Sequence, residues 1–141
     1  MPETILIVED NPLNMKLMIM TLRNHGYTLL QATDGEEALG IAQRDKPDLI
    51  IMDIRLPGMD GQEVMRRLRQ IPDFTHTPII AVTAHAMKGD REKFLGAGFD
   101  AYLPKPIDTR ELPKFVAKIL LSHQKDAILN VGKRRWEGKS S

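Results

Sequence analysis

The stretch DLIIMDIRLPGMDG, residues 48–61, passes from apolar to acidic in one step. Leu49, Ile50, Ile51 and Met52 form an unbroken apolar run, the pattern of a strand covered on both faces. Asp53 follows, and then a Pro-Gly turn at residues 57–58. A carboxylate at the tip of a buried strand is costly unless something positive meets it. The rest of the chain has to supply that partner.

Short apolar runs recur on either side: Thr4–Val8, Thr28–Ala32, Asp48–Met52, Pro78–Val82 and Phe99–Leu103. Segments of helical period separate them, at Pro12–His25, Asp34–Asp45, Gly61–Gln70 and Ala84–Gly96, and a last helix begins near Asp108. Such alternation predicts right-handed βαβ crossovers and one parallel sheet with helices on both faces. Asn11 before Pro12 reads as an N-cap with proline at the first helical position. Asp34 with Glu37, and Asp108 with Glu111, have capping-box spacing. Gly26 and either Gly96 or Gly98 stand where helices should stop. Pro113 conflicts with an early start for the last helix, which must begin late or bend. The methionines, including Met15, Met18 and Met20, read as core and gap filling.

A chain of 141 residues supports one domain with a real core. Apolar (42%) and charged (28%) shares are those of a globular domain, and no run is long enough for a signal peptide or a membrane span. A cytoplasmic protein is expected. The lack of cysteine removes disulfide and thiolate-metal readings. His25, His76, His85 and His123 have no metal-ligand spacing.

The net charge of +1 is uneven: five basic against two acidic residues put 124–141 at +3 and leave residues 1–123 at −2. Neither part reads as a nucleic-acid surface, and Arg134, Arg135 and Trp136 read as part of a mobile tail. A stripe through Leu112, Val116, Ile119, Leu120, His123, Ala127 and Val131 implies that the last helix extends past the domain. The expected division is a domain over 1–123 and a basic helical extension and tail over 124–141.

In an open parallel sheet ligands bind beyond the carboxyl ends of the strands, where strand order reverses. The first strand ends in Glu9 and Asp10, and the third in Asp53. If those strands are neighbours, three carboxylates share one crevice, which is unfavourable without a cation. Hard oxygen ligands point to Mg²⁺ before zinc or copper. Thr83 and Lys105 at the ends of the fourth and fifth strands would add a hydroxyl and an ammonium, completing a phosphoryl-binding site.

The motifs ILIVEDNPLN, LIIMDIRLPGMDG, PIIAVTAHA and AGFDAYLPKPI together resemble the response-regulator receiver domain of two-component signalling, over about residues 3–122. The resemblance implies a flavodoxin-like, doubly wound five-stranded sheet, strand order 2-1-3-4-5, with five helices. It implies that Asp53 accepts a phosphoryl group from a phosphohistidine. Asp10 and Asp53 would hold Mg²⁺, with the Arg55 carbonyl and, mostly through water, Glu9. Thr83 and Lys105 would take phosphoryl oxygens, and Tyr102 would be the switch aromatic that turns inward as Thr83 moves. Arg55 and His85 occupy positions that tune hydrolysis, and the Lys105–Pro106 peptide would be cis. Glu9 departs from the more frequent aspartate.

The implied protein is a signalling switch without an output domain, not a turnover enzyme beyond its own phosphorylation and dephosphorylation at Asp53. Its partners would be a histidine kinase or histidine phosphotransfer protein and a downstream effector, with no nucleic acid or membrane; a homodimer through the extended helix is open. The alternative is a receiver fragment of a hybrid histidine kinase or a phosphorelay intermediate. A haloacid-dehalogenase-like phosphatase would need a second aspartate where this chain has Arg55. A flavodoxin-like cofactor binder would need a phosphate cradle where EDNPLN is acidic.

Overall fold

Five strands, β1 Thr4–Val8, β2 Thr28–Ala32, β3 Leu49–Asp53, β4 Ile79–Thr83 and β5 Ala101–Pro104, pair in parallel in the order β2-β1-β3-β4-β5. They belong to a computed structural model in which residues 2–84 and 87–123 are described. Helices α1 Pro12–Arg23, α2 Gly35–Asp45, α3 Gly61–Arg69 and α4 Asp90–Ala97 connect them, and a 3-10 turn at Pro72–Phe74 precedes β4. A fifth helix, α5, occupies residues 111–123. The order and the flavodoxin-like winding are those expected.

Every residue of β3 and β4 is buried, because both strands lie inside the sheet with helices on each side. The edge strands β2 and β5 are half exposed. Odd-numbered side chains such as Ile5, Ile7 and Ile51 meet Met15, Met18 and Leu22 of α1 and Leu112, Val116 and Leu120 of α5. Their neighbours Leu6, Val8, Ile50 and Met52 meet Ala38 and Ala42 of α2, Val64 and Leu68 of α3 and Phe94 of α4. Two cores therefore sandwich one sheet. The Leu112–Val116–Leu120 part of the predicted stripe packs on its own domain; Ala127, Val131 and the whole of 124–141 lie outside the described residues.

The helix punctuation works as the sequence indicates, with refinements. Asn11, Asp34 and Asp60 side chains accept from the amides of Asn14, Glu37 and Glu63. Asp108 instead accepts from Arg110 N–H, 2.9 Å, so its spacing with Glu111 is not a capping box. With α5 regular from residue 111, Pro113 falls in the first turn, where a missing amide costs little. The predicted start of α4 is corrected by six residues: Gly89, at φ 94°, breaks the chain direction and the helix opens at Asp90. Gly98, at φ 126°, and not Gly96, ends it. Met20 is also corrected: it is more than half exposed on α1.

At the amino end of the sheet Arg69 folds back from the last turn of α3. Its guanidinium donates to the carbonyls of Phe74 and Thr77, both 2.7 Å, and Gly98, 3.1 Å, and pairs with Asp100 at 2.7 Å. Asp100 in turn accepts from Ile79 N–H, 2.8 Å. One side chain thus ties α3, the start of β4 and the α4–β5 turn together, leaving the opposite end of the sheet to carry the chemistry.

Candidate functional site

β1 and β3 are adjacent, with Val8 opposite Met52, so the next residues, Glu9 and Asp53, stand side by side. Asp10 follows, and Glu9, Asp10 and Asp53 each offer a carboxylate oxygen within 4.8 Å of the others. Glu9 is 1% and Asp53 4% exposed, while Asp10 faces solvent. Two unit charges about 4 Å apart repel by about 4 kcal/mol at an effective dielectric of 20, so the cluster needs compensation.

Lys105 supplies part of it. Its Nζ lies 2.8 Å from Glu9 Oε1 and 3.1 Å from Asp53 Oδ2. The Glu9 contact is an ion pair too poorly angled for a hydrogen bond. The Lys105 amide donates to the Thr83 carbonyl, 2.8 Å, which brings the end of β5 against the end of β4, and the Lys105–Pro106 peptide is cis. Backbone amides do the rest: Arg55 N–H donates to Asp53 Oδ1, 3.1 Å, and Asn11 N–H to Glu9 Oε2, 3.2 Å. The start of α1 adds a favourable dipole for the acids before it.

Three carboxylates against one ammonium leave a formal −2, the charge a divalent cation cancels. Oxygen donors from Glu9, Asp10 and Asp53 suit Mg²⁺, so the residues fit the ion expected from the sequence. Burial pushes the Glu9 carboxyl up to about 7, helped by the neighbouring Asp53 carboxylate and opposed by Lys105 and the Asn11 amide. Burial works to lower the Lys105 ammonium, but Glu9 and Asp53 outweigh it and raise it above its ordinary value.

A stability test follows. A folded-state pKa near 7 against 4.5 unfolded means the fold holds the extra proton between those values. Metal-free stability should therefore lose a Glu9 contribution on the order of a few kcal/mol as pH rises from about 4.5 through 7. Melting curves in chelator at pH 5 and 7.5, wild type against Glu9→Gln, isolate it: the wild type should lose more on going to pH 7.5. Parallel shifts in both proteins would remove Glu9 as the source.

Thr83 closes β4, one residue past the Asp53–Val82 pairing, and is buried. Tyr102, half-buried on β5, stacks on Phe94 of α4 with centroids 5.8 Å apart, and Phe94 meets Phe99 edge-on at 6.0 Å. Burial, then the charge of Asp90, raises the Tyr102 hydroxyl above its usual value. The Arg55 side chain is exposed, and its amide reaches the site. His85 lies outside the described residues.

Two closely packed glycines escaped the sequence reading. A Cβ on Gly61 would run into the Asp53 carbonyl oxygen, and one on Gly35 would lie 2.7 Å from Val64 Cγ2. Both follow an N-cap aspartate, at Asp34-Gly35 and Asp60-Gly61. Glycine is a poor helix former, so its use at the first helical position is a sign of restricted space.

A parallel sheet with acids and a lysine converging at its carboxyl edge defines a phosphoryl-handling α/β domain. Residues 5–117 match the response regulator receiver domain family. The polar-differentiation response regulator DivK of Brucella anthropi is 45% identical over 119 residues, 84% of this chain and 94% of that protein. The receiver domain of the Pseudomonas aeruginosa sensor histidine kinase PA1611, solved with magnesium coordinated in its active-site cleft, is 40% identical, covering 85% of this chain and 98% of that one at a TM-score of 0.77. The chemotaxis response regulator CheY4 of Vibrio cholerae superposes at a TM-score of 0.79 with 28% identity over 84% of this chain and 99% of its own. The chain belongs to the response regulator receiver domain family and is a phosphorylation-dependent signalling protein of two-component type.

Proposed function

We propose that Asp53 is the phosphoacceptor of this receiver, that Glu9, Asp10, Asp53 and the Arg55 carbonyl hold Mg²⁺, and that Thr83 and Tyr102 carry the switch. The observation behind this is that Asp53, buried at the tip of β3, meets the carboxylates of Glu9 and Asp10 and the Lys105 ammonium, 3.1 Å from its Oδ2, in one crevice. An Asp53 oxygen attacks the phosphorus of a phosphohistidine. The P–N bond breaks, and the imidazole leaves with the bonding electron pair and takes a proton from solvent. Lys105 shifts from carboxylate to phosphoryl oxygen, and the Thr83 hydroxyl donates to another. Bound Mg²⁺ would neutralise the developing phosphoryl charge.

The product adds about one negative charge to the pocket. Drawing Thr83 toward it frees space at the end of β4, into which Tyr102 turns, breaking its stack on Phe94 and re-presenting α4 and β5 to an effector. Output through protein–protein contact in the cytoplasm fits a domain in which, among the described residues, no helix is long and apolar enough to cross a membrane. The test is phosphorylation by a small acyl phosphate with Mg²⁺. Wild type should form an acid-stable, base-labile acyl phosphate and Asp53→Asn none; label persisting in Asp53→Asn would move the acceptor elsewhere.

A donor surface on α1 belongs to the same proposal. Leu13, Leu17 and Met20 sit exposed at i, i+4 and i+7 on α1, an apolar stripe beside the site. Leu17 also borders a cleft of about 300 Å³ that runs to Lys105, Pro106 and Ile107. A helix presenting the phosphohistidine fits there, its apolar side on the stripe. Leu17→Glu should slow transfer from a phosphorylated histidine phosphotransfer protein at least about tenfold, the cost of a misplaced charge at a packed contact. Its rate with a small acyl phosphate should match wild type. Equal slowing with both donors would mean that the site, not docking, was damaged.

A further inference from the structure

The geometry points to Gly35, at the start of α2, as a positioning residue for the Asp53 carboxylate, acting through the loop 54–60. The inference rests on Asp53 being the acceptor. Gly35 is buried at the first position of α2, and its φ is not in the left-handed region, so an alanine could adopt its backbone. Space is the reason for glycine: a Cβ there would lie 2.7 Å from Val64 Cγ2 and 3.2 Å from both Cβ and the carbonyl oxygen of Met59. The last of these is main chain and cannot rotate away. Met59 belongs to the loop that begins at Ile54, and that loop supplies the Arg55 amide which donates to Asp53 Oδ1 at 3.1 Å.

The loop is fixed at its origin and at its end. Ile54 N–H donates to the Val82 carbonyl, 2.9 Å, and Gly61 N–H to the Ile54 carbonyl, 2.9 Å. Between these anchors α2 leans on Met59, so its start sets how far the loop, and the Arg55 amide with it, sits from the carboxylate. The same end of α2 is tied to the neighbouring acid: Thr33 N–H donates to Glu37 of α2, and Glu9 N–H to the Ala32 carbonyl. The start of α2 is therefore linked to both sides of the acidic cluster, through Met59 on one and through Thr33 and Ala32 on the other, without touching it.

The test is a mutant cycle in the full chain, Gly35→Ala, Val64→Ala and the double variant. Each is read by melting temperature, by the concentration dependence of phosphorylation with a small acyl phosphate and Mg²⁺, and by the Arg55 amide resonance. Val64→Ala removes the side-chain obstruction but leaves the Met59 carbonyl, so the double variant should regain the stability that Gly35→Ala loses. It should still show a shifted Arg55 amide and a maximal phosphorylation rate lower by about two- to fivefold, because relieving the 3.2 Å contact moves the loop by only a fraction of the ångström that costs about a hundredfold, with half-saturation by the donor little changed. Recovery of rate and resonance together with stability would reduce Gly35 to a helix-packing residue, as would a Gly35→Ala variant that reacts like wild type. Should Gly35→Ala not fold, the double variant alone decides by the same two readouts. Failure of Asp53 itself would show separately, as label retained in Asp53→Asn.

Discussion

Lys105→Ala is expected to unfold the metal-free protein about 10 °C below wild type at pH 8, the equivalent of roughly 3 kcal/mol in a chain of this size. Removing one partner of a buried ion pair costs about 3–5 kcal/mol, because the remaining charge stays desolvated. Here two carboxylates are left, Glu9 at 2.8 Å and Asp53 at 3.1 Å from the missing Nζ, and both are almost fully buried. The lower end of the range applies because Lys105 retains some exposure and because Glu9, already near neutrality, can take up a proton. The deficit should shrink at pH 5, where that proton is available. Mg²⁺ should restore much of the loss and bind at least as well as to wild type, since the pocket has lost a competing cation. Lys105→Arg keeps the charge and should melt closer to wild type. Signalling should fail even so: a phosphoryl group on Asp53 would lack the ammonium that ties it to β5, and partner binding should no longer respond to phosphorylation. Identical melting of Lys105→Ala and wild type in chelator would show that the lysine does not compensate the acids.

Most of the sheet was legible because β1, β3 and β4 are covered on both faces, and a doubly buried strand has to read as continuous apolar residues. The same rule misplaced strand ends by about one residue. Asp53 and Thr83 break the apolar run yet remain in the ladder, Asp53 opposite Val82 and Thr83 opposite Pro104. Hydrogen bonding does not stop where hydrophobicity does, and this small overlap holds the reactive groups rigid. The acids and the lysine could be grouped from sequence because strand order fixes which tips are neighbours. Three features could not be read that way. The stretch before Asp90 has helix-forming composition, but Gly89, at φ 94°, puts the start of α4 at Asp90. Lys46 ends α2 at φ 47°, a conformation usually left to glycine. Arg69 looks like a solvated residue complementing the α3 dipole, and only the tertiary fold brings three carbonyls within its reach. The glycine contacts are of this kind too: spacing shows where a helix begins, not what its backbone touches.

Among the described glycines, Gly61 is the one where an added methyl group should do most damage. The new Cβ would overlap the Asp53 carbonyl oxygen and lie 2.9 Å from Ile54 Cα and 3.1 Å from the Asp53 carbonyl carbon. All three are backbone atoms, so no rotamer change relieves the clash. Gly61 has no left-handed φ, which leaves proximity as its only requirement. Either α3 moves outward, opening the packing of Val64, Met65 and Leu68, or the Asp53 peptide tilts and carries the acceptor carboxylate with it. Overpacking of this kind costs about 1–3 kcal/mol and more where backbone is involved, so a loss of about 3 kcal/mol is expected. Phosphorylation by a small acyl phosphate should fall by about a hundredfold in the folded fraction, since the main chain of Asp53, the acceptor proposed above, is displaced. Gly40→Ala supplies the comparison. It adds the same methyl group inside α2 where nothing lies within 4 Å, and should stabilise by up to about 1 kcal/mol through helix propensity and a less flexible unfolded chain. If Gly61→Ala melted and labelled like Gly40→Ala, the close approach of α3 to Asp53 would have no part in holding the acceptor.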